Sequence, residues 1–109
     1  MTTIINLTPH AVTLFTKSDL SSKREFQSSG KVARCKQTNE SVGQINDINL
    51  TKTVFGEIED LPDPQENTFY IVSRIVREAA KERNDLLVPN EIVRNEDNQI
   101  IGCLSFAVN

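Results

Sequence analysis

Phe69-Tyr70-Ile71-Val72-Ser73-Arg74-Ile75-Val76-Arg77-Glu78-Ala79-Ala80 is the stretch that decides the fold. Four apolar residues in succession, Phe69 to Val72, suit a strand covered on both faces. Ser73 then reads as a helix N-cap, because its hydroxyl oxygen can accept from the first free helix amides. Behind it Ile75, Val76, Ala79 and Ala80 recur on one face of a helix expected to run from Arg74 to about Arg83. Asn84-Asp85 ends that helix, and Leu86-Leu87-Val88 forms a second short apolar strand before Pro89.

Outward from this unit the chain reads as β-structure. Upstream, Leu61-Pro62-Asp63-Pro64 with the following Gln65 to Thr68 is a connection that neither a helix nor a central strand tolerates. Short alternating segments predict strands at Ile4 to Leu7, Val12 to Thr16, Val32 to Thr38, Val42 to Ile48 and Thr51 to Ile58. The polar segment Lys17 to Gly30 lacks apolar periodicity and is expected to be a surface hairpin or mobile loop. Downstream, Glu91 to Arg94, the turn Asn95-Glu96-Asp97-Asn98 and Ile100 to Val108 predict a hairpin. The fold class expected is α+β: a β-rich, mostly antiparallel sheet with one main helix, about residues 74–83, packed on it. At 109 residues the chain suits a single domain, residues 1–109.

Composition narrows the function. A net charge of −3 offers no overall positive field for nucleic-acid phosphates, so nucleic acid is not an expected partner. The apolar runs are far shorter than the roughly 20 residues of a membrane span. Met1-Thr2-Thr3-Ile4-Ile5-Asn6 lacks the basic and long apolar parts of a signal peptide, so a cytoplasmic location is expected. In that compartment Cys35 and Cys103 are expected as reduced thiols on strands. The chain holds one histidine and no close ligand spacing, so no metal and no cofactor are expected. Its four glycines, Gly30, Gly43, Gly56 and Gly102, form no phosphate loop. Without an evident acid-base pair or nucleophile triad, the chain reads as a non-enzyme.

Three constellations are candidates for a binding site. His10, in Thr8-Pro9-His10 between two expected strands, can donate to a ligand or bond the local backbone. Ser73 and Arg74 begin the helix, where the dipole favours an anion and works against Arg74, unless Arg74 pairs with Glu78 one turn on. Arg83, Asp85 and Arg94 flank the strand Leu86 to Val88 and either line a pocket rim or form surface ion pairs. Tyr70 or Phe69 offers an aromatic surface to a base.

Asn6-Leu7-Thr8-Pro9-His10, Leu61-Pro62-x-Pro64, Tyr70-Ile71-Val72-Ser73, Arg83-x-Asp85-Leu86-Leu87-Val88-Pro89 and Ile101-Gly102-Cys103 resemble, in combination, a family of small proteins encoded by bacteriophages and prophages. The polar segment Lys17 to Ser29 departs from that pattern. The resemblance implies an accessory protein acting in the bacterial host cytoplasm, where small single-domain phage proteins commonly counter antiviral defence. Two modes fit. The first is sequestration of a phosphate-bearing, nucleotide-like immune signal at Ser73, Arg74, Arg83, Arg94, His10 and Tyr70, and the second is direct blocking of a host defence protein. A homo-oligomer is expected in either case, since a short chain gains buried area by pairing sheet edges.

Overall fold

The computed structural model describes residues 2–108. In chain order the elements are β1 (Thr3–Asn6), β2 (Val12–Phe15), β3 (Lys23–Phe26), β4 (Arg34–Ile45), β5 (Ile48–Glu59), β6 (Thr68–Ile71), α1 (Arg74–Ala79), β7 (Leu86–Arg94) and β8 (Ile100–Ala107). The fold is strand-rich with one short helix. Six strands form the body in the order β1-β6-β7-β8-β2-β3, and β4 with β5 forms a separate two-stranded arm.

The body sheet is mixed, which corrects the expectation of a mostly antiparallel one. β1 with β6, β6 with β7, and β2 with β8 run parallel, while β7 with β8 and β2 with β3 are antiparallel. The cause lies in the deciding stretch itself. A strand, a helix and a second strand in succession make a crossover, and a crossover returns the second strand parallel to the first. Tyr70 and Ile71 of β6 accordingly pair with Leu86 and Leu87 of β7. The outer strands of the sheet also meet: Asn6 bridges Ser28, and the Ser29 amide donates to the Asn6 carbonyl at 3.0 Å. A short seam therefore closes the sheet on itself at the end of β1.

The helix ends at Ala79 and not near Arg83. Ala80 leaves helical geometry at φ −119°, ψ 53°, and its amide is shared between the carbonyls of Val76 and Arg77. Beyond it the backbone turns so that the Arg83 side chain meets Asp85 and the Pro62 carbonyl, contacts that a continued helix would carry away. Val76 and Ala80 are buried as expected, whereas Ile75 is 40% exposed. With Leu7, Ala33, Tyr70, Val72, Leu86 and Val88 they form the main core cluster. Cys35, Ile58 and Leu61 pack against it, so the arm is rooted in the core through its base.

Of the two readings of the polar segment, the structure shows the hairpin: Lys23 to Phe26 form β3, which pairs antiparallel with β2 although its side chains are largely exposed. Phe26 stacks edge-on to Phe106 at 5.8 Å, and the Arg24 guanidinium lies 5.1 Å from the Phe26 ring centre. Those contacts replace the alternating pattern that would have announced the strand. The three middle segments are two long strands joined at Asn46-Asp47, both with positive φ (50° and 66°), as a tight primed turn requires.

The arm gives the chain its length. The radius of gyration is 16.8 Å, against about 13 Å for a compact chain of this size. Cys35 and Cys103 are both free thiols, one on the arm and one in the body, and burial pushes the Cys103 thiol above its ordinary value. No helix among the described residues is long and apolar enough to cross a membrane.

Candidate functional site

The Thr8-Pro9-His10 turn is held by Asn6, a residue that is 2% exposed. Asn6 Oδ1 accepts from the Thr8 amide at 2.9 Å and lies 2.6 Å from the Thr8 hydroxyl. Asn6 Nδ2 donates to the carbonyls of His10 and Phe26, both at 2.8 Å. Ser28 Oγ donates to the Thr8 carbonyl at 2.7 Å. One buried amide thus satisfies both of its functional atoms and ties the turn to the end of β3. His10 takes part through its backbone carbonyl, while its side chain is exposed.

Next to this turn lies a shallow hollow of about 390 Å³ between the arm base and the start of α1. Val32, Ala33 and Ile75 supply its apolar surface, and Pro9, Arg34, Cys35, Gln37 and Ser73 complete the lining. Ser73 is the N-cap as expected: its Oγ accepts from the Val76 amide at 3.3 Å. Arg74 follows, fully on the exposed side of the helix start. Glu78 pairs with Arg77 at 3.4 Å and Lys81 at 3.9 Å rather than with Arg74.

The remaining candidates lie elsewhere. Arg83 is committed to Asp85 by two hydrogen bonds, Nε to Oδ1 and Nη2 to Oδ2, each 2.8 Å, and Nη2 also donates to the Pro62 carbonyl at 3.0 Å. Hydrogen bonding from Arg83 holds the Asp85 carboxyl below its ordinary value even though burial works the other way, and the guanidinium is raised in return. This pair fixes the Pro62 connection to the strand entry at Leu86. Arg94 Nη1 donates to the Asn98 carbonyl across the β7–β8 turn, away from the helix. Tyr70 is 1% exposed and belongs to the core cluster, so its ring has no open face for a base.

The structure therefore brings Ser73 and Pro9 of the His10 turn to one hollow, leaves Arg74 and His10 outside its lining, and disperses Arg83, Arg94 and Tyr70. It adds Arg34 and Gln37, which a linear reading misses because they approach Ser73 only when the arm folds across the helix. Asn6 was missed too, although an asparagine two residues before a threonine is the pattern of a side-chain turn.

A second hollow, about 180 Å³, lies between β2 and the β7–β8 hairpin among Ile92, Ile100, Ile101 and Cys103. It is apolar and smaller than the roughly 300 Å³ at which ligand pockets begin. No protein-family model, no curated protein and no solved structure matches the chain.

Proposed function

We propose that this chain is a non-enzymatic binding protein that captures a phosphate-bearing, nucleotide-like small molecule at the hollow beside the start of α1. The observation that carries the reading is the make-up of that hollow: Arg34 and Ser73 stand beside the apolar surface of Val32, Ala33 and Ile75. An arginine fork and a hydroxyl donor are the groups a phosphate seeks, and an apolar surface is what the rest of a nucleotide buries against. Its volume of about 390 Å³ falls within the range of small-molecule sites. Arg74, one residue from Ser73, supplies a second exposed cation.

No acid-base pair is needed for such a role. Sequestration inside a bacterial host would counter a defence that signals through a nucleotide, which agrees with the phage resemblance of the sequence motifs. The test is mass spectrometry of small molecules released by denaturing the protein after purification from bacteria with an active nucleotide-signalling defence. A retained phosphorylated compound in stoichiometric amount supports the reading, and an empty protein opposes it.

A further inference from the structure

An isolated two-stranded hairpin is marginal in water, and an edge strand left unpaired invites another strand. The arm presents both problems at once. Its strands run twelve residues each, and from Lys36 to Ile45 every residue of β4 is exposed. Its far end carries Val42, Ile45 and Ile48 at 60%, 58% and 63% exposure.

We infer that β4 pairs antiparallel with β4 of a second copy of this chain, centred on Thr38, so that Lys36 of each copy faces Glu40 of the other. Two-fold antiparallel pairing of identical strands joins like faces, and residues directly opposite must therefore be both even or both odd in number. On β4 all the charged residues, Arg34, Lys36 and Glu40, are even and share one face. Centring on Thr38 sets Lys36 against Glu40 twice, once on each side of the axis. Opposite charges directly across a ladder stabilise it, and like charges oppose it.

The other edge of the arm does not offer this. β5 has one cation, Lys52, and its acids, Glu57 and Glu59, lie beyond the irregularity opposite Lys36. A symmetric pairing of β5 that set Lys52 against Glu59 would have to run through that irregularity in both copies. The stretch from Cys35 to Ser41 is also regular on β4, since the irregularities in the arm fall at Val42 and on the β5 side opposite Lys36. The paired ladder fits between them.

The same register has a consequence for the tip. With Val42 the extra residue of the irregularity, residues 44 and 45 of one arm fall level with residues 33 and 32 of the other, so the apolar tip of each copy comes to the arm base of its mate. There Val32, Ala33 and Ile75 line the hollow. Association thus covers the exposed tip, and it adds a wall to the hollow from the second copy. The inference rests on the charge pattern and not on what the hollow binds.

Charge exchange tests it. Sedimentation equilibrium of the intact chain should give twice the 12.2 kDa monomer mass at tens of micromolar protein. Lys36→Glu alone or Glu40→Lys alone places like charges opposite each other twice, and each should raise the dissociation constant roughly ten- to a hundredfold. Lys36→Glu combined with Glu40→Lys in one chain should restore the dimer. An equimolar mixture of the two single variants should give a heterodimer, because Lys36 and the new lysine of one chain then face two carboxylates of the other. Glu59→Gln, which removes the present 3.5 Å partner of Lys36 on the arm, should leave association unchanged. Circular dichroism confirms that each variant is folded. A monomeric wild type, single variants as dimeric as wild type, or a double variant as weak as the singles would each overturn the inference.

Discussion

Arg83 and Asp85 form a bidentate ion pair, with both nitrogen-to-oxygen distances at 2.8 Å and side chains only 15% and 11% exposed. They stand two residues apart at the entry to β7, and the same guanidinium reaches the Pro62 carbonyl. The pair therefore joins the proline-rich connection to the body and has no cation to spare for a ligand.

Asp85→Asn should cost about 3 kcal/mol, because it leaves a largely buried guanidinium without its counter-charge. For a domain of this size that is a fall in Tm of roughly 10–20 °C. Thermal denaturation followed by circular dichroism measures it. A loss below about 1 kcal/mol would place the pair among ordinary surface ion pairs.

The same pair gives a pH dependence. The folded Asp85 carboxyl titrates below its unfolded value, so its stabilising contribution is complete above about pH 4 and is lost as pH falls through the folded pKa. Arg83, raised in the fold, keeps its charge throughout any accessible range. Wild-type stability should therefore drop more steeply than that of Asp85→Asn below pH 4, and the two curves should converge in acid. Parallel curves would contradict the assignment.

Asn6→Ala should cost about 2–3 kcal/mol, since it removes the buried amide that donates to the carbonyls of His10 and Phe26 and accepts from the Thr8 amide. The loss should appear as early hydrogen exchange at the amides of Ser29 and Ala33, which bond the carbonyls of Asn6 and Leu7 along the seam. Unchanged protection there would show that the seam does not depend on Asn6.

Gly102→Ala probes the packing of β8 on β2. A Cβ at this position would sit 2.6 Å from Phe15 Cε2 and 2.9 Å from the Thr13 carbonyl oxygen. The ring can shift and the backbone oxygen cannot, so a destabilisation of about 1–3 kcal/mol is expected from denaturant unfolding. A neutral substitution would mean that the two strands separate freely at this point.

How much of this was legible in the sequence follows from the range of each signal. Ser73 capping α1, the strands on either side of it and the final hairpin were readable, because caps, apolar runs and turn residues act within a few positions. β3 is legible only as the hairpin alternative to a loop, since Lys23-Arg24-Glu25-Phe26 shows its reason for pairing only when Phe106 and β2 lie beside it. The parallel pairing of β1 with β6 joins residues more than sixty positions apart, and nothing local announces it. At the site, Ser73 and the His10 turn were singled out from motif and capping chemistry, while Arg34 needed the folded arm. Arg83 and Asp85 read from the sequence either as pocket-rim residues or as an ion pair, and the structure gives the ion pair, which consumes the cation.

The most direct test of the proposed role compares the phosphorylated small molecules released on denaturation from wild type, Arg34→Ala and Arg94→Ala, purified from the same bacteria with an active nucleotide-signalling defence. Arg34 lines the hollow and is exposed, so its loss should reduce retention roughly ten- to a hundredfold with little change in Tm. Arg94, bonded within the β7–β8 turn, should retain wild-type amounts when replaced. Equal release from wild type and Arg34→Ala, or no phosphorylated compound from any of the three, would contradict a binding site at the hollow.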